Sequence, residues 1–389
     1  MFIRLAKRIS ETGEYLFAAL DRKKRDAIKR GVDVVNLGVG DPDLPTPELI
    51  IESLRKAAGE PGNHQYPSYQ GKEELRRAIS GYMSRRFQVS LESEKEIVVL
   101  IGSKEGIAHL SWAILDPGDT ALVGDPAYPV YGGAAFFCGA HVHRLPLSRE
   151  RGFLPDLGSV PEDMAKKAKV LWLNYPNNPT AATATLEFFE EAVDFGKKNE
   201  VIIINDASYS EIYYDGKPPL SFLEIPGAKD VGIEFHSLSK TFNMTGWRVG
   251  WAAGNETLID GLGRIKTNVD SGVFGAVQDA AVTALEEGWS SVEELRKIYA
   301  ARRDILCRAL QDGGWDVLVP KATFFVLASV PKGMVGMETA EWLLNECGIV
   351  CTPAAGMGKG GEGFVRFSLT APDERIEEAA RRLRALSEK

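Results

Sequence analysis

Ser237–Gly250 reads SLSKTFNMTGWRVG. It follows an apolar lead-in of Val231, Gly232, Ile233 and Phe235, and it sets one lysine, Lys240, among small and hydroxylated residues, with Arg248 eight positions on. A free lysine amine titrates near ~10.4, so a nucleophilic lysine must be held where desolvation or a neighbouring cation favours its neutral form. An arginine stays charged and presents a planar fork of donors suited to phosphate. Ser237 and Ser239 add hydroxyl donors, and Gly246 lets backbone approach a ligand. An amine, hydroxyls and an arginine fork are what an aldehyde carrying a phosphate requires. A lone lysine between serines is an ordinary solvated loop residue; the fourteen-residue pattern as a whole carries the reading.

The chain has 389 residues, 44% of them hydrophobic, enough for a sizeable core in one large domain or two. A net charge of −8, spread through the sequence, argues for ordinary solubility and against a nucleic-acid face. Cys138, Cys307, Cys347 and Cys351 lack metal-site spacing and suggest no disulfide framework, which fits a reducing cytoplasm. Gly348 and Pro353 mark a helix end between Cys347 and the next strand, against a redox or metal pair there. No apolar run approaches the roughly 20 residues of a membrane helix, and the N-terminus lacks the order of a signal peptide. His141 and His143 share one face of a strand without further ligands, so no metal site is expected.

From Glu96 onward apolar runs, small-residue turns and helical stretches alternate as in a doubly wound sheet. The predicted strands are Ile97–Ile101, Thr120–Val123, Val170–Leu173 and Val201–Ile204; after the lysine segment the chain continues through Trp251–Asn255 into a helical stretch. Ile97–Ile101 runs into GSKEG, a helix start able to direct backbone N–H groups at an anion, with Ser103 and Lys104 as donors. Thr120–Val123 leads to GDPAYPVY, and Val170–Leu173 to NYPNNPT. Asp206 ends Val201–Ile204, where such folds bind ligands, and capping a following helix is its everyday alternative role. From Ser290 amphipathic helices and a smaller strand set follow, with strands at Trp315–Val319, Phe324–Ala328 and Phe364–Ser368. Arg366 in the last of these is a cation among apolar residues; it needs a ligand carboxylate or an Asp or Glu partner. The N-terminal thirty residues read as a helical arm with a solvated basic cluster from Arg22 to Arg25. The turn GVGDPDLPTP (Gly38–Pro47) and the loop GEPGNHQYPSYQG (Gly59–Gly71) contain Gly40 and Tyr66, which their local sequence explains equally well as a plain turn residue and a half-buried loop aromatic.

Taken together, SLSKTFNMTGWRVG, GSKEG, GDPAYPVY, NYPNNPT and Asp206 closely resemble the motifs of class I and II aminotransferases, the fold-type I branch of pyridoxal 5′-phosphate enzymes, over nearly the whole chain. The resemblance implies an α/β fold: a large cofactor-binding domain (46–285) with a mostly parallel central sheet flanked by helices, and a smaller α+β domain built from both chain ends (1–45 and 286–389). It implies Lys240 as the Schiff-base lysine and proton shuttle, Asp206 on the pyridine nitrogen, Tyr209 and Asn178 on the phenolic oxygen, and Tyr128 stacked on the ring. Ser103, Lys104, Ser237, Ser239 and Arg248 would hold the phosphate, joined by Tyr66 of the neighbouring subunit in a homodimer with shared active sites. Arg366 and Gly40 would meet the substrate α-carboxylate. The family pattern has glycine after the threonine of NNPT, where this chain has Ala181. NNPTA, KTNVDSG (Lys266–Gly272), GSKEG and Tyr15 within GEYLFAALD most resemble the diaminopimelate branch, which moves an amino group from glutamate to tetrahydrodipicolinate, with aspartate, alanine or aromatic transamination as the alternative. Lys104, Tyr15 and Glu60 are the candidates for the distal end of such a substrate. Small amino and keto acids are thus the expected partners, with neither nucleic acid nor membrane.

Overall fold

The computed structural model describes residues 3–12 and 16–387. Numbered along the chain, its strands begin with β1 (Val35–Asn36), β2 (Ile97–Leu100), β3 (Thr120–Asp125), β4 (His141–Pro146), β5 (Ala168–Leu173), β6 (Ile202–Asp206) and β7 (Gly232–Ser237). They continue with β8 (Gly250–Gly254), β9 (Val317–Leu318), β10 (Phe325–Ser329), β11 (Ile349–Val350), β12 (Thr352–Pro353) and β13 (Phe364–Ser368).

Seven of these form the main sheet in the order β2-β8-β7-β6-β5-β3-β4. All run parallel except β8, which is antiparallel to both β2 and β7. Parallel strands are connected by helices that cover both faces, so their residues are apolar on both sides and alternate between two cores. In β2, Ile97 and Val99 join the core containing Leu171, Ile203 and Trp251. Val98 and Leu100 of the same strand join the opposite core, with Ile107, Leu110 and Phe235. His141 and Arg144 lie exposed on β4, the last strand, where charge discourages pairing with another chain.

A second, antiparallel sheet runs β12-β13-β10-β9. It packs its own apolar cluster, including Val326, Phe367, Leu306 and Ile376. The strand expected over Trp315–Val319 contracts to Val317–Leu318, because Gly313 and Gly314 end the preceding helix and Pro320 follows with no N–H to extend the ladder. Trp315 instead packs edge-on against Phe367, with ring centroids 6.2 Å apart. The helix Gly336–Cys347 stops at Gly348, whose φ of 67° is the left-handed cap glycine provides without strain. Cys347 and Cys351 are both free thiols.

β1 pairs in parallel with β11, and the backbone continues past it to join the second sheet, Ser368 N donating to Leu37 O at 2.7 Å. The N-terminal segment comprises helices Lys7–Glu11 and Leu16–Lys29, with Lys24 and Arg25 both paired to Asp21. Among the described residues no helix is long and apolar enough to cross a membrane.

Candidate active site

Because β5, β6 and β7 are parallel, the residues at or just beyond their C-terminal ends, Asn174, Asp206 and Ser237, arrive at one edge of the sheet. A cavity of about 370 Å³ opens there. Lys240, Asp206, Tyr209, Asn178, Tyr128 and Arg366 all line it, as do Ser103, Lys104, Ser237, Ser239, Arg248 and Gly40. Tyr66 does not: it stands 90% exposed on the surface, outside the cavity of its own chain. Tyr15 lies outside the described residues.

Lys240 is presented by a single helical turn, Leu238–Thr241, whose N-cap Ser237 accepts from Ser239 N at 3.1 Å. Its Nζ lies 3.4 Å from Gly40 O and 5.8 Å from the centroid of the Phe324 ring. Burial lowers the amine to about 8; Asp41 opposes that shift, while Arg248 and Arg366 reinforce it. A Cβ on Gly40 would fall 2.5 Å from the Phe325 ring, so only glycine leaves room for this turn against the lysine.

Asp206 is buried on the cavity floor. Oδ1 accepts from Ser208 N at 3.1 Å and Ser208 Oγ at 2.6 Å, and Oδ2 accepts from the Tyr131 hydroxyl at 2.8 Å. Burial pushes its carboxyl up, while Ser208, Tyr131 and His236 pull it back toward the ionised form. Turns follow it, with no helix for it to cap, which removes that alternative. Tyr131 stacks on Trp172 (5.5 Å, 17°) and meets Tyr128 edge-on (5.9 Å, 80°). Tyr131 and Ser208 are the residues the sequence reading missed. Tyr131, in the first turn of helix Val130–Phe137 and three residues after Tyr128, is the signal the sequence offers.

Arg366 is 1% exposed on β13. It donates to Asn178 Oδ1 at 2.6 Å, Gly38 O at 2.8 Å and Thr352 Oγ1 at 3.3 Å, all neutral acceptors. Its guanidinium carbon lies 4.0 Å from the Phe325 ring centroid. Tyr209, three residues after Asp206, is buried edge-on to Phe324 and Phe325, and burial pushes its phenol up.

Ser103, Lys104 and Arg248 bring donors to the cavity wall that suit an anion. Helix Ser103–Ile114 begins after Gly102, at φ 76°, and its first turn faces the cavity through Ser103 and Lys104. A Cβ on Gly102 would lie 2.1 Å from Arg248 Nη2, so glycine is what lets the guanidinium lie across this turn. Arg248 is braced by Thr245 O at 2.8 Å and Ile101 O at 3.4 Å. Ala181, at the position where a glycine was the family expectation, does adopt a positive φ of 59°.

The sequence profile described as aminotransferase class I and II matches residues 32–383. The chain belongs to that family. It is 54% identical over 372 residues to the LL-diaminopimelate aminotransferase of Aquifex aeolicus, covering 96% of each chain. To the enzyme of that name from Syntrophobacter fumaroxidans it is 51% identical, covering 98% of each. Among solved structures it superposes on substrate-bound BacF from Bacillus subtilis with a TM-score of 0.95 at 35% identity, over 99% and 98% of the two chains. Aspartate aminotransferase from Thermus thermophilus with maleate gives 0.92 at 28% identity, over 99% and 100%. This family of aminotransferases works with pyridoxal 5′-phosphate. The cavity fits that group: an amine at about 8 in the middle, a buried carboxylate on the floor, and a helix N-terminus with an arginine at the phosphate end.

Proposed function

We propose that this aminotransferase passes an amino group from glutamate to tetrahydrodipicolinate, giving LL-diaminopimelate and 2-oxoglutarate, in the synthesis of lysine and peptidoglycan precursors. The observation that carries this is identity of about half the residues, along nearly the full chain, to enzymes named for that reaction.

When bound, pyridoxal phosphate supplies an aldehyde for amines and an electron sink for cleavage at the substrate α-carbon. The chain's residues do the rest. Lys240 would hold the cofactor and then, as an amine about half neutral at pH 8, carry the proton from the substrate α-carbon to the cofactor's C4′ carbon. Asp206, kept toward its ionised form by Ser208 and Tyr131, sets a negative charge against the ring nitrogen. Asn178 and Tyr209 orient the phenolic oxygen, and Tyr128 fixes the plane of the ring. Ser103, Lys104, Ser237, Ser239 and Arg248 hold the phosphate. Arg366, pre-positioned by Gly38, Asn178 and Thr352, grips the α-carboxylate beside Gly40.

The working unit in this proposal is a cytoplasmic homodimer. Tyr66 and Tyr69, Val269 and Phe274 form exposed apolar surface on the segments 66–69 and 269–274, and a second copy covering them would bring its own Tyr66 to the phosphate. Residues 46–285 would be the cofactor-binding domain, with 1–45 and 286–389 closing over it. Lys104 at the cavity wall, with Glu60 and Tyr15 as further candidates, would meet the distal end of the substrate.

The test is an absorbance spectrum of the protein loaded with pyridoxal phosphate, followed by single additions of LL-diaminopimelate, glutamate, aspartate and alanine. Loss of the visible band with diaminopimelate and glutamate alone is expected. Loss with aspartate or alanine and no response to diaminopimelate would replace the substrate.

A further inference from the structure

Behind the anion cradle, away from the cavity, lie four charged or titratable side chains: Glu105, His109, Lys266 and Asp270. Lys266 belongs to helix Glu256–Val269, which packs on helix Ser103–Ile114, and its side chain is fully buried. Its Nζ donates to Glu105 Oε1 at 3.2 Å and to Asp270 Oδ1 and Oδ2 at 3.2 and 3.1 Å. His109 Nδ1 lies 2.5 Å from Glu105 Oε1 and 3.5 Å from Asp270 Oδ2. Glu105, His109 and Asp270 are close enough to suit a metal, their ligand atoms lying within 4.8 Å of one another. The ammonium of Lys266 already supplies the positive charge there.

Each carboxylate of the cluster also holds a piece of backbone. Glu105 Oε2 accepts from Ile101 N at 2.8 Å, which fixes the turn that leads through Gly102 into the cradle and carries the Ile101 carbonyl bracing Arg248. Asp270 Oδ1 accepts from Gly272 N at 2.8 Å. Gly272 lies so close to the loop bearing Tyr66 that a Cβ there would sit 3.2 Å from Ser68 O. One buried ammonium therefore joins the cradle to that loop. Without it, two part-buried carboxylates face each other uncompensated, and the repulsion acts on the side chain that holds Ile101.

We infer that Lys266 and Glu105 are positioning residues for the phosphate: they touch neither cofactor nor substrate and set the cradle's affinity by fixing the Ile101–Gly102 turn. This rests on the cavity being the pyridoxal phosphate site. The test compares equilibrium binding of pyridoxal phosphate and of pyridoxal, which has the same ring and aldehyde without the phosphate, to wild type, Lys266→Met, Lys266→Arg and Glu105→Gln. In Lys266→Met the dissociation constant for pyridoxal phosphate should rise about tenfold, the effect of losing one charge-assisted hydrogen bond. The constant for pyridoxal should stay within about twofold, so the preference for the phosphorylated form falls. Lys266→Arg should restore part of that preference. If Lys266→Met does not fold, Glu105→Gln, which keeps the side-chain length and an acceptor for Ile101 N, decides the matter with about a threefold loss of preference. An unchanged preference accompanied by a lower unfolding temperature of the apoprotein means a structural ion cluster only and overturns the inference. A wild type with no preference for the phosphate overturns the cofactor site as well, whereas a strong wild-type preference retained by every variant overturns this inference alone.

Discussion

Lys240 offers the most direct quantitative check, because its amine sits at about 8 where an ordinary lysine sits at 10.5. At pH 7 about one amine in ten is then neutral, against roughly one in three thousand for an exposed lysine, a difference of about 300-fold. Only the neutral amine attacks an aldehyde. On mixing apoprotein with pyridoxal phosphate, the initial rate at which visible absorbance appears should climb about tenfold from pH 6 to 7, bend near pH 8 and level off above it. Asp41 holds the amine up, so Asp41→Asn should move the bend to lower pH. The same group governs the stability of the apoprotein. Its folded value lies below its unfolded one, so between pH 8 and 10.5 the unfolded chain binds more protons and stability rises with pH through that window. At pH 7 the cost of burying the charge is fully present, and Lys240→Met should remove it, stabilising the apoprotein by roughly 3 kcal/mol. That gain should disappear above pH 10.5. Urea unfolding of both proteins at the two pH values measures it. A rate that keeps climbing toward pH 10 without a bend, together with no gain from Lys240→Met at pH 7, would refute the buried, neutral-leaning lysine.

Three further outcomes follow from the geometry. Tyr131→Phe deletes one of three donors to Asp206, a bond worth ~1.5–3 kcal/mol to a charged acceptor, so the carboxyl should rise and the acidic limb of the activity profile should move up by about one pH unit or more, with kcat falling and KM nearly unchanged. Gly102→Ala places a methyl group 2.1 Å from Arg248 Nη2 at a positive φ; affinity for pyridoxal phosphate should fall at least about tenfold in an absorbance titration, and a normal affinity would show that Arg248 does not lie over the cradle. Ala181→Gly relieves a left-handed alanine and should stabilise the protein by about 1 kcal/mol in thermal unfolding; a loss of stability would mean that the methyl group's packing outweighs the strain.

The parts of this site that could be read from sequence are those fixed by strand ends. An apolar run of known length delivers the residue after it to one edge of a parallel sheet, which is why Asp206, Asn178 and the Lys240 segment were found together with the cradle at Ser103. What could not be read were contacts that depend on how separate elements pack. The acceptors of Arg366 come from Gly38, Asn178 and Thr352, none of them recognisable as a pair in the sequence. Lys266 opens the KTNVDSG stretch of the resemblance, yet only the packing of two helices, with the paired side chains 161 positions apart, makes it a fully buried cation. Tyr131 is masked in the sequence by Tyr128, which by itself accounts for the aromatic character of GDPAYPVY. The strand is shorter than the apolar run Trp315–Val319 because apolar content alone does not reveal where a tryptophan leaves the ladder to fill a core.

The arginine on β13 has a consequence for how the protein comes into being. A ribosome releases Lys240, Asp206 and the whole seven-stranded sheet well before it reaches Arg366, and domains tend to fold in the order of their synthesis. Gly38, made near the beginning, must therefore wait for a guanidinium made almost at the end, 328 positions later. On the proposed function, the nascent chain would during that interval hold Ser103, Ser237 and Arg248 for a phosphate but not Arg366 for an amino acid, so cofactor capture would precede any capacity to turn over substrate.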